Sequence, residues 1–163
     1  FIERATQNNK LSNLKFEFLD FNSPDQFLGQ KFDYIVGNGI LHHLYYNLDK
    51  ALLNMKSLLK STGKLIFLEP NLKNPYIYLI FSYNFFRKAA NLEPTEMAFT
   101  RNFAANILMN SGFKNIKVEY KDFLLPGIPT IFISPSILIG DFLEKVPFFK
   151  CFSQSIAIVA DNK

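Results

Sequence analysis

The stretch FDYIVGNGILHHLYYNLDKALLNMKSLLKSTGKLIFLEPN, residues 32–71, decides the fold. It opens with Phe32–Val36, a short run of aromatic and β-branched side chains that ends at Gly37. A second uninterrupted apolar run, Leu65–Leu68, stops at Glu69-Pro70. Both runs are too short for helices and rich in residues that favour strands, so two strands covered on both faces are predicted.

A helix is predicted between the two strands. From Leu48 to Leu59 the apolar residues recur at the three- and four-residue spacing that places one stripe along a helix. Asn47 occupies the N-cap position, and Gly63 stands where a left-handed residue would close the helix. A strand, a helix and a strand in this order predict a βαβ unit with parallel strands.

Polar residues gather where the two predicted strands end. In an open parallel sheet, ligands bind beyond the carboxyl ends of the strands. The residues expected at this edge are Gly37, Asn38, Gly39, His42 and His43 after the first strand, and Glu69, Pro70 and Asn71 after the second. Two glycines around an asparagine allow a bound molecule close to the backbone. The alternative is structural: a tight turn followed by the start of a surface helix.

Several of these segments resemble class I S-adenosylmethionine-dependent methyltransferases. Residues 32–44 are similar to that family's fourth-strand segment, and Leu58–Leu65 resembles its L-L-K-P-G-G segment, with Ser61-Thr62 in place of Pro-Gly. Glu69–Asn71 matches a subgroup of the family. The resemblance implies a doubly wound, mostly parallel α/β sheet of the Rossmann-like type, an antiparallel C-terminal strand over 155–160, and S-adenosylmethionine as cofactor.

The same resemblance aligns a helix over Phe1–Asn9 with the one that follows the family's second strand. The family's Gly-rich turn would precede it, and no G-x-G-x-G occurs in the sequence. Residues 1–163 are therefore interpreted as one partial domain, truncated at its N-terminus. A short helical turn from Ser23 is predicted to direct Phe27 and Leu28 to the sheet.

The resemblance also assigns a role to the segment before that turn. Leu14–Asp20 is predicted as a strand, and in the family an acidic residue at its end binds the adenine amino group. Asp20 takes that role here, and Phe21 is expected to pack on the adenine ring. An Asx turn with a core phenylalanine is the structural alternative.

Roles for the remaining edge residues follow from the resemblance and from side-chain chemistry. The cofactor-side candidates are Asp20, Phe21, Gly37, Asn38 and Gly39. His43 is the candidate general base, because an imidazole titrates near neutrality, and Glu69 is the second catalytic candidate; capping or turn roles are the alternatives. The acceptor-side candidates are His42, Asn71, Tyr78 and Phe81. Adjacent histidines on a helix are expected to point about 100° apart, so no metal site is predicted.

Two regions are interpreted as acceptor-side insertions, near 72–99 and 123–150. Asn74–Phe86 carries six aromatic side chains and no charge, and its Asn-Pro start predicts a helix. Phe123–Gly140 has eighteen residues without a charge, which is long enough for a candidate membrane-spanning helix. Its three prolines argue against a continuous helix in lipid. A surface element that covers the pocket or rests on lipid, and a buried helix, are the alternatives.

The C-terminal third is predicted to complete the sheet. Thr100 is expected to cap a helix that buries Phe103 and that Gly112 closes. Asn115–Lys121 alternates apolar and charged residues strictly, which predicts an edge strand with one solvated face. The β-branched run over 155–160 is expected to lie between this strand and the one ending at Glu69.

Composition limits the function classes. The 163 residues are 48% hydrophobic, enough for one domain with a real core. The net charge of +4 is carried by scattered lysines, so no nucleic-acid partner is expected. The resemblance implies methyl transfer from S-adenosylmethionine to a small-molecule or a lipid- or sugar-linked acceptor, with peripheral membrane contact as an addition. The single Cys151 excludes an internal disulfide and fits the cytoplasm.

Two other function classes stay open on sequence alone. One is a non-catalytic methyltransferase-like remnant that acts as an interaction module. The other is a nicotinamide-dependent α/β enzyme, which is disfavoured because no suitable Tyr-x-x-x-Lys pair is found. The sequence does not name the acceptor.

Overall fold

The computed structural model describes residues 1–27, 29–124 and 127–163; the predictions for Leu28 and Pro126 fall outside these ranges. The strands are β1 (Phe32–Asn38), β2 (Leu59–Pro70), β3 (Lys114–Lys121) and β4 (Ser155–Asp161). The helices are α1 (Ile2–Gln7), α2 (Leu48–Leu58), α3 (Pro75–Ser82), α4 (Asn84–Ala89), α5 (Arg101–Asn110) and α6 (Ile133–Leu143). Short 3-10 helices lie at Asp25–Phe27, Leu41–His43, Tyr45–Asn47, Thr130–Phe132 and Phe149–Phe152.

The four strands form one mixed sheet in the order β1-β2-β4-β3. β1 and β2 are parallel and joined through α2, which confirms the βαβ unit. β4 lies antiparallel between β2 and β3, and β3 is an edge strand, as predicted. The α/β fold class is therefore confirmed.

One face of the sheet carries the main core. Alternate residues of β2 and β4, such as Phe67 and Ile158, pack with the apolar stripe of α2 and with Ala104 and Leu108 of α5 in one cluster. The opposite face is less covered. Tyr34 and Val36 of β1 are 59% and 69% exposed, so the prediction that both strands are covered on both faces is wrong for β1. Because α2 and α5 both pack on the face that carries the main core, the opposite face of β1 is left open.

Two local predictions are corrected. Leu14–Asp20 lies mostly exposed and in no strand, because no strand of the described residues pairs with it to satisfy its backbone groups. Gly63 does not close α2, because α2 passes directly into extended backbone at Leu59. Gly63 lies inside β2, where a Cβ atom would stand 2.9 Å from the carbonyl oxygen of Lys60. Close backbone approach, not helix closure, explains this glycine.

Asn47 is the N-cap residue of α2, as predicted, but its side chain makes no capping hydrogen bond, whereas the starts of α3 and α5 have one. The Oδ1 atom of Asn74 accepts hydrogen bonds from two backbone N–H groups at the start of α3, and the hydroxyl of Thr100 accepts one at the start of α5. Gly112 has a φ of +80° just after α5. Phe103 was expected inside but is 39% exposed, because the buried stripe of α5 runs through Ala104 and Leu108.

The last part of the uncharged stretch 123–140 lies in the surface helix α6, which covers Ile133–Leu143. α6 is eleven residues long, and Gly140 is its only buried residue. The alternative of a buried helix is therefore wrong. Among the residues that the structure describes, no helix is both long enough and apolar enough to cross a bilayer.

Candidate functional site

The turn after β1 and the end of β2 meet at one edge of the sheet. The backbone N–H of Gly39 donates to the carbonyl oxygen of Leu68 at 2.8 Å, so the turn continues directly from the parallel ladder. Gly39 has a φ of +62°, a conformation that favours glycine. This geometry brings the two predicted clusters of polar residues to one place, the carboxyl end of β1 and β2. We call this place the rim.

Glu69 organises the rim from the end of β2. Its side chain is fully buried, and its Oε1 accepts hydrogen bonds from the backbone N–H groups of Ile40 (3.0 Å) and Leu41 (2.7 Å). Its Oε2 accepts from the backbone N–H of His42 at 3.2 Å and lies 3.0 Å from the Nδ1 atom of that histidine. Both oxygens are therefore engaged in holding the 3-10 helix Leu41–His43. Glu69 fits a positioning role better than contact with a reacting atom.

His42 is held by three different parts of the chain. Its ring faces Glu69, and the ring of Phe81 meets it edge-on at a centroid distance of 6.4 Å. Its backbone carbonyl accepts a hydrogen bond from the N–H of Met97 at 3.1 Å. The turn after β1, the end of β2, helix α3 and the loop before α5 thus converge on this residue.

His43 is the more accessible of the two histidines. Its side chain is 48% exposed, and its Nδ1 lies 3.4 Å from the Oε1 of Glu96, whose side chain is 7% exposed. The two imidazole rings lie side by side, with centroids 4.0 Å apart and planes 34° apart. The expectation that these side chains diverge is wrong, since two rotatable bonds per side chain bring the rings together despite the divergent Cα–Cβ bonds.

Glu96 and Arg87 are rim residues that the sequence reasoning did not identify. The guanidinium of Arg87 donates to the backbone carbonyls of Phe81 (2.9 Å), Glu93 (2.5 Å) and Glu96 (3.1 Å), so it fastens α3 to the loop that carries Glu96. The available signal was an acidic residue two positions before the buried segment Ala98–Phe99. That position keeps a carboxylate close to the core, where it needs a partner.

The structure places the predicted acceptor-side residues Asn71, Tyr78 and Phe81 in different surroundings. Asn71 is 0% exposed; its Nδ2 donates to the carbonyls of Cys151 (2.9 Å) and Ser153 (2.8 Å), and its Oδ1 accepts from the N–H of Lys73. It cannot reach an acceptor, so that prediction is wrong. Tyr78 is 47% exposed and its ring meets that of Tyr83, not the histidines. Phe81 is the predicted aromatic residue that does lie at the rim.

The glycines of the predicted cofactor side differ in origin. A Cβ atom on Gly37 would stand 2.3 Å from the Cε1 atom of Phe67, so the side chain of Phe67 occupies the space that the glycine leaves. Gly37 is thus accounted for by packing within the sheet. Asn38, at the end of β1, has an exposed side chain, and Gly39 carries the left-handed turn. These two residues present backbone and amide groups to solvent at the rim.

Asp20 and Phe21 lie in an irregular segment. The Oδ1 of Asp20 accepts a hydrogen bond from the N–H of Asn22 at 2.8 Å, and the side chain is exposed. This is the Asx turn that was the structural alternative. Phe21 is half-buried against the main core, and its carbonyl accepts from the Nδ2 of Asn54 at 2.7 Å. The segment is tied to α2 without a strand.

The residues present can be tested against S-adenosylmethionine. An exposed carboxylate followed by a half-buried aromatic ring, Asp20-Phe21, suits an adenine amino group and its ring. Asn38 offers an exposed amide side chain at the rim. Gly37 offers no cradle, because Phe67 fills it. The nucleoside end of the cofactor is therefore the part that these residues fit.

The comparisons with known proteins agree with this architecture. Residues 1–98 match the profile of a family described as a methyltransferase domain. A search of curated proteins found no match. Similar solved structures include a SAM-dependent methyltransferase from Archaeoglobus fulgidus, with a TM-score of 0.60 and 17% identity over 98% of this chain and 73% of that one.

Two further solved structures are similar at comparable levels. Human N-acetylserotonin methyltransferase in complex with SAM has a TM-score of 0.63 and 14% identity, over 98% of this chain and 37% of that one. The N-methyltransferase NodS from Bradyrhizobium japonicum WM9, in complex with S-adenosyl-L-homocysteine, has a TM-score of 0.57 and 15% identity, over 99% and 61%. The chain thus spans less than two thirds of each of these two proteins.

Proposed function

Because this chain belongs to the methyltransferase-domain family, we propose that the protein transfers a methyl group from S-adenosylmethionine to a nucleophilic oxygen, nitrogen or carbon of an acceptor with an apolar part. The observation that carries the proposal is the rim, where the turn after β1 is fixed to the end of β2 by Glu69. The cofactor supplies an electrophilic methyl group. The match to a methyltransferase family argues against the alternative of a nicotinamide-dependent enzyme.

In this proposal the residues of the rim bind, orient and deprotonate. Asp20, Phe21, Asn38 and Gly39 contact the cofactor. His43 accepts a proton from the acceptor, and buried Glu96, 3.4 Å away, orients its ring and stabilises the cation that forms. Glu69 is a positioning residue that holds His42 and the turn. Phe81, edge-on to His42, offers an apolar wall to the acceptor.

The first experiment uses the full-length protein and two readouts. Titration with S-adenosyl-L-homocysteine measures cofactor binding. Tritium transfer from labelled S-adenosylmethionine into a total lipid extract or an aqueous metabolite extract measures turnover and shows which acceptor class is used. His43→Asn should lower the transfer rate about 10²- to 10⁴-fold and leave S-adenosyl-L-homocysteine affinity within twofold.

Three outcomes would count against this function. No binding of S-adenosyl-L-homocysteine would favour the non-catalytic interaction module. An unchanged transfer rate in His43→Asn would remove His43 as the base. Label found only in water-soluble products would remove the apolar acceptor. Phe81→Ala should weaken use of the acceptor and leave S-adenosyl-L-homocysteine affinity unchanged. Phe85→Ala is the matched control and should change neither, because Phe85 is 77% exposed and lies outside the rim contacts.

A surface feature supports membrane contact as part of the same function. Large apolar side chains are exposed on α6, with Leu138 71% and Phe142 65% exposed; Asp141 is the charged residue of this helix, and Lys145 and Lys150 follow it. At about 1.5 Å per residue the helix spans only half of a bilayer core, so it would lie in the interface. An apolar acceptor could then be taken from lipid.

Vesicle sedimentation tests that contact. The full-length protein should bind phosphatidylglycerol-containing vesicles more than pure phosphatidylcholine ones, and Leu138→Glu with Phe142→Glu should lower the bound fraction several-fold. Met109→Glu is the matched control, since Met109 is 61% exposed on α5. Equal binding by the double variant would contradict the proposal, as would a wild-type dimer in solution that the double variant turns into a monomer.

A further inference from the structure

Three side chains of metal-ligand type converge at the rim. His42, His43 and Glu96 each offer one ligand atom, and these atoms all lie within 4.8 Å of one another. We infer that this cluster is a binding site for a divalent transition-metal cation of the zinc class. The inference stands on this geometry and not on the proposed methyl transfer.

His42 has the kind of hydrogen-bond partner that metal-binding histidines have. Histidines that bind metals usually donate their second ring N–H to a carboxylate, which fixes the ring and leaves the other nitrogen for the metal. The Nδ1 of His42 lies 3.0 Å from the Oε2 of Glu69. Because Glu69 also accepts three backbone N–H groups, it cannot turn away. The Nε2 of His42 is thereby left with its lone pair.

The charge of the cluster also favours a cation. Glu69 and Glu96 are both buried carboxylates, and across the described parts of the chain their only ion-pair partners are the two histidines. The Oε1 of Glu96 has the backbone N–H of Glu93 at 3.2 Å and the Nδ1 of His43 at 3.4 Å, which is long for a hydrogen bond. A divalent ion would compensate the charge that burial penalises.

The ligand set selects the class of metal. Two imidazoles and one carboxylate suit Zn²⁺ and its transition-metal neighbours, whereas Mg²⁺ and Ca²⁺ prefer oxygen ligands. Three protein ligands leave one coordination position for a water or an acceptor oxygen. A cation on His43 uses the lone pair that would otherwise accept a proton. Occupancy of the site and base catalysis by His43 therefore exclude each other, and Zn²⁺ should inhibit methyl transfer.

Direct titration tests the site. The full-length protein with Cys151→Ser, which removes the free thiol as a competing ligand, is titrated with Zn²⁺ against a chromophoric chelator and, in parallel, with Mg²⁺. Co²⁺ added in place of Zn²⁺ should give visible absorption typical of nitrogen and oxygen ligands. One Zn²⁺ per chain should bind, Mg²⁺ should not compete, and Glu96→Gln or His43→Ala should weaken binding about 10- to 100-fold.

The control is Glu93→Gln, because Glu93 is an exposed acid in the same loop and its side chain is not in the cluster. It should bind Zn²⁺ as the parent does. Equal affinity in Glu96→Gln and the parent, or no binding in the parent, would overturn the inference. If Zn²⁺ fails to bind while His43→Asn still loses transfer, the methyltransferase proposal stands and the metal site falls; binding without transfer reverses that result.

Discussion

At the scale of single residues, two residues of the same type in one sequence pattern can have different structural roles. Gly37 and Gly39 flank one asparagine, yet Gly37 gives space to the ring of Phe67, while Gly39 adopts a left-handed turn. Glu69 and Asn71 both end β2, and both are consumed by internal hydrogen bonds. Polar residues that follow a strand can thus be required for packing and internal hydrogen bonds, and the pattern alone does not identify a binding site.

Gly37→Ala should destabilise the protein through a steric clash. The added Cβ would stand 2.3 Å and 2.7 Å from two ring carbons of buried Phe67, and overpacking of this kind costs about 1–3 kcal/mol. Chemical denaturation measures the free energy of unfolding. The double variant with Phe67→Leu should cost less than the sum of the two single changes, because a smaller side chain makes room. Strict additivity would show that the ring is not the obstacle.

At the scale of secondary-structure elements, a single side chain can hold two elements together. The Oδ1 of Asn74 caps α3 by accepting from the N–H groups of Tyr76 (2.9 Å) and Ile77 (3.2 Å). Its Nδ2 donates to the carbonyl of Phe152 at 2.6 Å. One buried amide therefore starts a helix and holds the 3-10 helix Phe149–Phe152 beside it.

Asn74→Ala should cost more than loss of a simple cap. Removal of a cap costs about 1 kcal/mol, and a buried carbonyl left without its donor adds about 1–3 kcal/mol. Thr100→Ala is the comparison, since Thr100 makes one cap bond at 3.2 Å on an exposed helix start. Hydrogen exchange should be faster at the first amides of α3 in Asn74→Ala. Equal losses of stability in the two variants would refute the double role.

The elements also show what the sequence could predict. The βαβ unit and the edge strand β3 follow from local periodicity, since each pattern records its own burial, whereas the insertion of β4 between β2 and β3 was implied by the family resemblance. The strand expected over 14–20 does not form, because a strand needs a neighbour as well as a pattern. Glu96 lies far from the histidines in sequence, so its place at the rim depends on the packing of α3 and its loop, which no local signal reports.

At the scale of the whole molecule, one polar cluster joins three strands at the end of the sheet away from the rim. The Nζ of Lys64 (β2) lies 2.5 Å from the Oδ1 of Asp161 (β4), and the Nδ2 of Asn115 (β3) donates to Oδ2 at 2.9 Å. The hydrogen bonds from Lys64 and Asn115 lower the pKa of Asp161. The hydrogen bond to Asp161 raises the pKa of Lys64.

Asp161→Asn should reduce stability only within a pH window. A lowered carboxyl pKa stabilises the fold above the ordinary value of 3.8, and this is lost as the pH falls through the folded value. The raised pKa of Lys64 stabilises it below 10.5, and this is lost as the pH rises through the folded value. Thermal melts from acid to alkaline pH should show a small difference between variant and parent near neutrality that disappears at both ends. A difference that persists in acid would contradict the pairing.

The anchoring of His42 has a consequence for biosynthesis. Its backbone N–H donates to Glu69, and its carbonyl accepts from the N–H of Met97. Both of these residues are translated after the turn that they hold. During synthesis the two histidines leave the ribosome before Met97, so the hydrogen bond from Met97 to His42 can form only after the chain beyond α4 has left the exit tunnel. A nascent chain halted before Met97 would contain both rim histidines but would lack the hydrogen bond from Met97 that holds His42.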